Sequence, residues 1–170
     1  MPRSRPGVLR TRRAKPRRSY RGAAPWWGEP LPKPWPTSIE RLSSRTVSAI
    51  HREECRHRPG GGDLWPGATE SALRAYRAFL ARPGRHLYLR RSRCPCDGCE
   101  RQENVASTRD VLEVVLRRLP PCARRDLAAL VAKLDEELLR RTLPDPFAHR
   151  QPWRGDAWWH RRIYDETSHL

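Results

Sequence analysis

The sequence of 170 residues lacks any long apolar run: its longest aliphatic stretch, Leu127 to Ala132, stops at Lys133. A bilayer span needs roughly 18 apolar residues, so a membrane protein is excluded. Acids are scarce, with 19 Asp and Glu against 35 Lys and Arg and a formal charge of +16. Lysine is scarcer still, because every basic residue other than Lys15, Lys33 and Lys133 is arginine. Two Arg-Arg pairs near the start, Arg12-Arg13 and Arg17-Arg18, are followed by no apolar segment of the kind an export signal requires. The expectation is an intracellular, cytoplasmic protein. No G-x-S-x-G elbow, Walker loop, dinucleotide fingerprint or internal repeat is present, which leaves the common enzyme classes without support. Five cysteines, three of them at Cys94, Cys96 and Cys99, are spaced too tightly for a disulfide framework, so they read as thiols or metal ligands.

What is there is concentrated. With 37% hydrophobic and 32% charged residues, 17 Pro and 10 Gly, the chain cannot pack along its whole length. Residues 1–35 hold ten basic residues and one acid, Glu29, while residues 71–93 hold seven Arg and no acid. The remainder is close to neutral. Residues 1–36 carry eight prolines, which prevent a sustained helix, and mutually repelling arginines. They read as a disordered basic arm whose Arg12, Arg13, Arg17 and Arg18 are placed to meet phosphates.

Residues 37–149 read as a small, mainly α domain. Thr37 and Glu40 form a capping-box pattern that predicts a helix running to about residue 57, with a thin stripe of Ile39, Leu42, Ala49 and Ile50. A second helix is expected over 69–82, carrying Leu73, Tyr76, Phe79 and Leu80, and Pro83-Gly84 ends it. Alternation of Leu87 and Leu89 with His86, Tyr88 and Arg90 predicts a short strand over 85–91. Ser107 with Asp110 opens a third helix that stops at Pro120-Pro121, and the strongest periodicity, Leu127, Leu130, Val131, Leu134 and Leu138, predicts a fourth from about 122 to 142. On this helix Glu136 and Glu137 stand four residues before Arg140 and Arg141. Residues 150–170 form a Trp-rich segment in which Asp156 is a candidate cap and Trp159 and Ile163 share one helical face.

The run CPCDGC has the shape of a metal knuckle. Cys96-Asp97-Gly98-Cys99 sets two thiolates two residues apart across a turn that glycine relieves, and Cys94 is placed to add a third ligand. Cys122 is the first choice for the fourth, ahead of Cys55, His57 and His86. Zinc suits such a donor set, and the arginines around it, Arg90, Arg91, Arg93 and Arg101, favour thiolate over thiol. Its value would be scaffolding for a domain with little core. A catalytic alternative uses His51-Arg52-Glu53 with Pro95-Cys96-Asp97-Gly98-Cys99, a combination that resembles the H-x-E and P-C-x-x-C signature of zinc nucleoside and nucleobase deaminases. The resemblance implies zinc on His51, Cys96 and Cys99, and Glu53 as proton shuttle. The sequence departs from that family in placing His51 late in a predicted helix with no strand before it.

Seven Trp occur, as Trp26-Trp27, Trp35, Trp65, Trp153 and Trp158-Trp159. Trp beside Arg suits stacking on unpaired bases, although Trp65, Trp153 and Trp159 read better as cover for a small core. The expectation is therefore a non-catalytic, low-specificity binder of RNA or DNA with a structural zinc site. Its folded contacts are Arg74 and Arg77 on the second helix and Arg90, Arg91 and Arg93 beside the cysteines. The alternative is a protein adaptor that docks through its Pro-Trp segments.

Overall fold

A computed structural model describes residues 39, 41–56, 64–92, 94, 99–100, 103–152 and 154–165, all within one unit of the chain. The basic arm, the Thr37 and Glu40 cap, Arg93, Cys96, Trp26, Trp27, Trp35 and Trp153 lie outside the described residues. Among the described residues four α-helices dominate: α1 (Ser44–Arg56), α2 (Ala68–Leu80), α3 (Val105–Arg118) and α4 (Pro121–Arg141), followed by two single turns of 3-10 helix at Ala148–Arg150 and Trp158–His160. The mainly α expectation holds.

Helix α1 begins later than the sequence pattern predicts. Arg41 takes a left-handed backbone with φ of 68°, which breaks any helix running on from residue 37. Ser43 then serves as the cap: its Oγ accepts the Thr46 N–H at 3.2 Å. Ser43 and Thr46 both donate their hydroxyls to Asp126 on α4, at 3.0 and 2.6 Å, which fastens the start of α1 to the longest helix.

Helix α2 has no cap of its own. Gly67 precedes it with φ of 84° and offers no side chain. The orphaned N–H groups of Gly67 and Thr69 instead donate to the two carboxylate oxygens of Glu54 on α1, each at 2.8 Å. Glu54 is only 1% exposed, so its charge meets the positive end of α2 away from solvent. The other end is finished by Arg141 of α4, whose guanidinium donates to the carbonyls of Leu80, Arg82 and Gly84. Both helix ends thus draw opposite charges from neighbouring helices.

Helix α3 begins at Val105, two residues before the expected Ser107. Asn104 caps it by accepting the Ala106 N–H at 3.0 Å, and its amide also lies within hydrogen-bonding distance of Tyr164. Helix α4 matches its expected span, with Pro121 in its first turn. Its 21 residues make it about 30 Å long. Arg140 pairs with Glu137 three residues back, where Glu136 was the expected partner.

Leu73 and Tyr76 of α2, Leu112 and Val115 of α3, and Leu127, Val131 and Leu138 of α4 fill one core with Ile50 of α1. Each such side chain stabilises the fold by about 1.5–3 kcal/mol on burial. A charged group lies at its edge: Arg109 on α3 donates to Asp135 and Glu113, and Tyr76 donates its hydroxyl to Asp135 at 2.8 Å. Burial, together with the charge of Asp135, drives the Tyr76 hydroxyl far above its ordinary pKa.

The C-terminal segment is not the helix expected around Trp159 and Ile163. Trp159 enters the core from a 3-10 turn, its indole N–H donating to Asp110 at 2.8 Å while Arg109 stacks on its ring at 4.3 Å. Residues 162–165 then run between two other segments. Ile163 N–H donates to the Leu143 carbonyl at 2.9 Å, and Leu89 N–H donates to the Ile163 carbonyl at 3.0 Å. Leu89 bridges Tyr164 in parallel and Pro144 bridges Arg162 antiparallel, both as isolated pairs. The strand predicted over 85–91 is thus a single bridge, because its partner offers only one pairing register of a few residues.

Candidate nucleic-acid interface

The surface that carries the arginine surplus begins where α2 ends. Arg141 ties down the carbonyls of the turn, Gly84 adopts φ of 113° to reverse the chain, and Leu87 N–H then donates to the Arg141 carbonyl at 2.6 Å. Leu87 and Leu89 are buried, so the alternation read from the sequence places His86, Tyr88 and Arg90 on the outside. Apolar anchors fix the backbone. The basic and aromatic groups face solvent.

Charges of one sign gather here. Arg82 stacks over Phe79 at 5.1 Å. Its guanidinium pKa is lowered, first by partial burial and then by the positive charge of Arg90. Arg85 and Arg91 are exposed on the same loop. Among the described residues, neither Arg82 nor Arg85 has a carboxylate partner, whereas Arg90 pairs with Asp165 at 3.2 Å.

The expected contacts separate on the structure. Arg74 is 73% exposed on α2 but is paired with Glu70 one turn earlier. Arg77 is half-buried and engaged, and Arg91 is exposed and likewise engaged. Arg12, Arg13, Arg17, Arg18 and Arg93 lie outside the described residues. Arg82 and Arg85, which the sequence reading did not single out, join Arg90 through the turn after α2. The Pro83-Gly84 reversal between them was the signal that they share a loop with residue 90.

Other arginines face inward and serve the fold. Arg154 is bound to Asp145 at 2.7 Å with its guanidinium over the Tyr164 ring at 4.6 Å. Arg162 donates to Thr142, and burial lowers its pKa.

Among the described residues, Cys55, Cys94 and Cys122 are exposed and Cys99 is half-buried. Glu100, next to Cys99, accepts the Ser92 N–H at 2.8 Å and the Asn104 side-chain amide at 2.7 Å. Cys122 accepts from Arg125 at 3.7 Å on the first turn of α4. Among the described residues, no three His, Cys, Asp or Glu side chains are grouped to hold a metal ion. Of the deaminase-like pattern, His51 lies in the middle of α1 and Glu53 is buried against Arg56 at 2.6 Å. Trp159 is buried, and Trp65 and Trp158 pack partly against the core.

Among the described residues, no helix is long and apolar enough to cross a membrane. Compared with known proteins, the chain matches no family model, no curated protein and no solved structure.

Proposed function

We propose that this chain binds RNA or DNA without catalysis and with low sequence specificity, through the basic arm and the loop over residues 81–92. The loop supports the reading: Arg82, Arg85 and Arg90 stand together on an anchored backbone, and only Arg90 has a carboxylate partner among the described residues. Guanidinium groups meet phosphate oxygens through paired hydrogen bonds, which position a polyanion and carry no sequence information. Zinc on Cys94, Cys96 and Cys99, with Cys122 as fourth ligand, belongs to the same proposal as a scaffold element and rests on the spacing of the cysteines.

Fluorescence anisotropy with labelled RNA and DNA oligonucleotides over a salt series tests the reading. Deleting residues 1–24 removes nine positive charges. With about half of them on phosphates, the slope of log K against log salt flattens by about 4. Replacing Arg82 and Arg85 by Ala flattens it by about 1.5–2 more. Absence of binding in dilute buffer overturns the reading. A complex with another polypeptide that survives nuclease and high salt favours the adaptor instead.

A further inference from the structure

Three extended segments meet beside the basic loop, and their register fixes which side chains line up on the outside. The parallel bridge of Leu89 with Tyr164 sets Tyr88 next to Ile163 and Arg90 next to Asp165, and the Arg90 to Asp165 ion pair at 3.2 Å follows that register. The antiparallel bridge of Pro144 with Arg162 sets Ile163 next to Leu143 on its other side. Leu89, Tyr164 and Arg162 are buried, so the alternate positions, Tyr88, Ile163 and Leu143, form one outward row. Tyr88 is 45% exposed and Leu143 38%, on backbone held by several hydrogen bonds. The row offers an ordered apolar face on which a flat ligand can lie.

Its surroundings state the chemistry of that occupant. Arg90, paired with Asp165 at 3.2 Å, stands at one side of the row, and Arg161, 3.5 Å from the exposed carboxylate of Asp156, at the other, with Arg82 and Arg85 on the adjoining turn; a pair as open to solvent as Arg161 with Asp156 is worth about 0–1 kcal/mol and yields to a phosphate. The carboxylates within the paired segments are already engaged: Asp165 by Arg90 and Asp145 by Arg154. A flat, apolar ligand flanked by negative charge on both sides fits this frame. A nucleobase between two phosphates is such a group, and in a duplex its face is covered by neighbouring bases.

We propose that Tyr88, Ile163 and Leu143 form a platform on which an unpaired base of single-stranded nucleic acid stacks, with Arg90 and Arg161 meeting the flanking phosphates. This rests on the nucleic-acid-binding reading and narrows it to single strands. Stacking is tolerant of sequence because every base has a π face, in keeping with low specificity. The platform is preorganised by the hydrogen bonds of Leu87, Leu89, Ile163 and Asp165, so little ordering is lost when a base arrives.

The test compares the full chain with Tyr88→Ala and Tyr88→Phe, using labelled DNA and RNA strands of about twelve nucleotides and the same strands annealed into duplexes. Salt is raised as far as wild-type binding stays about a hundredfold tighter than the weakest binding the assay resolves, which suppresses the purely ionic share and leaves the variant readable. Tyr88→Ala is expected to weaken single-strand binding by about five- to hundredfold, the range one stacked base supports, and duplex binding by less than about twofold. Tyr88→Phe keeps the ring and is expected to stay within about twofold of wild type on both. Equal weakening of both forms, or no weakening of either, overturns the platform while leaving the broader reading in place. A wild-type chain that binds neither form overturns both.

Discussion

Replacement of Glu54 by Ala probes the device that starts α2. The wild-type carboxylate accepts two N–H groups, from Gly67 and Thr69, each at 2.8 Å. Hydrogen bonds to a charged group contribute about 1.5–3 kcal/mol each, so the gross loss is about 3–6 kcal/mol. Two effects reduce it. Gly67 is partly exposed, so water replaces one of the lost acceptors, and the variant no longer keeps a carboxylate out of solvent. The net expectation is about 3 kcal/mol, a large share of the roughly 5–15 kcal/mol that holds a domain folded. Urea unfolding followed by circular dichroism measures it, and a fall in Tm of about 10 °C accompanies it. Amide exchange should accelerate first at Thr69, whose N–H is buried and left without an acceptor. Glu54→Gln retains one acceptor oxygen and should cost about half as much. Glu70→Ala, at a more exposed site on the same helix, is the control and should stay within about 0.5–1 kcal/mol. A loss below about 0.5 kcal/mol for Glu54→Ala would mean that desolvation cancels both bonds, and the account of α2 capping would be wrong.

Two further outcomes are expected. The hydroxyls of Thr46 and Ser43 hold the Asp126 carboxyl below its ordinary pKa. Its contribution is therefore present above the usual aspartate range near 4 and lost as pH falls through the lower folded value. Asp126→Asn should lower Tm at neutral pH, with the gap to wild type closing below about pH 4; a gap of constant size would refute the assignment. For zinc, elemental analysis of protein purified under reducing conditions without chelator should give about one equivalent. Less than about half an equivalent would leave Cys94, Cys96, Cys99 and Cys122 as ordinary thiols.

Helices α2 and α4 were legible in the sequence because their apolar stripes recur within a few residues and prolines and glycines punctuate them. The starts of α1 and α3 were not. Thr37 with Glu40 has the right spacing for a cap, but Ser43 is the residue bonded to Asp126, 83 positions away. Asn104 displaces Ser107 as a cap while its amide contacts Tyr164, 60 positions on. Pairings of that range leave no local periodicity. The tail misled for a related reason: Trp159 and Ile163 sit four apart as on a helix, yet Ile163 and Asp165 find their backbone partners in Leu143 and Leu89. At the basic surface, the alternation of Leu87 and Leu89 announced which side chains face out. The arginine count alone gave no means of separating Arg82 and Arg85 from Arg109, Arg154 and Arg162, because inward and outward guanidiniums are identical as letters.

The finishing of α2 by groups from two other helices makes that helix a keystone with no autonomy. If α1 peels away, Glu54 leaves its front; if α4 frays, Arg141 leaves its back. The second event also releases the reversal at Gly84, which Arg141 holds and which carries the exposed arginines. Fold and surface should therefore dissolve together in a single cooperative step, so a mildly destabilised variant loses the ordered loop in proportion to the fraction of molecules that have come apart.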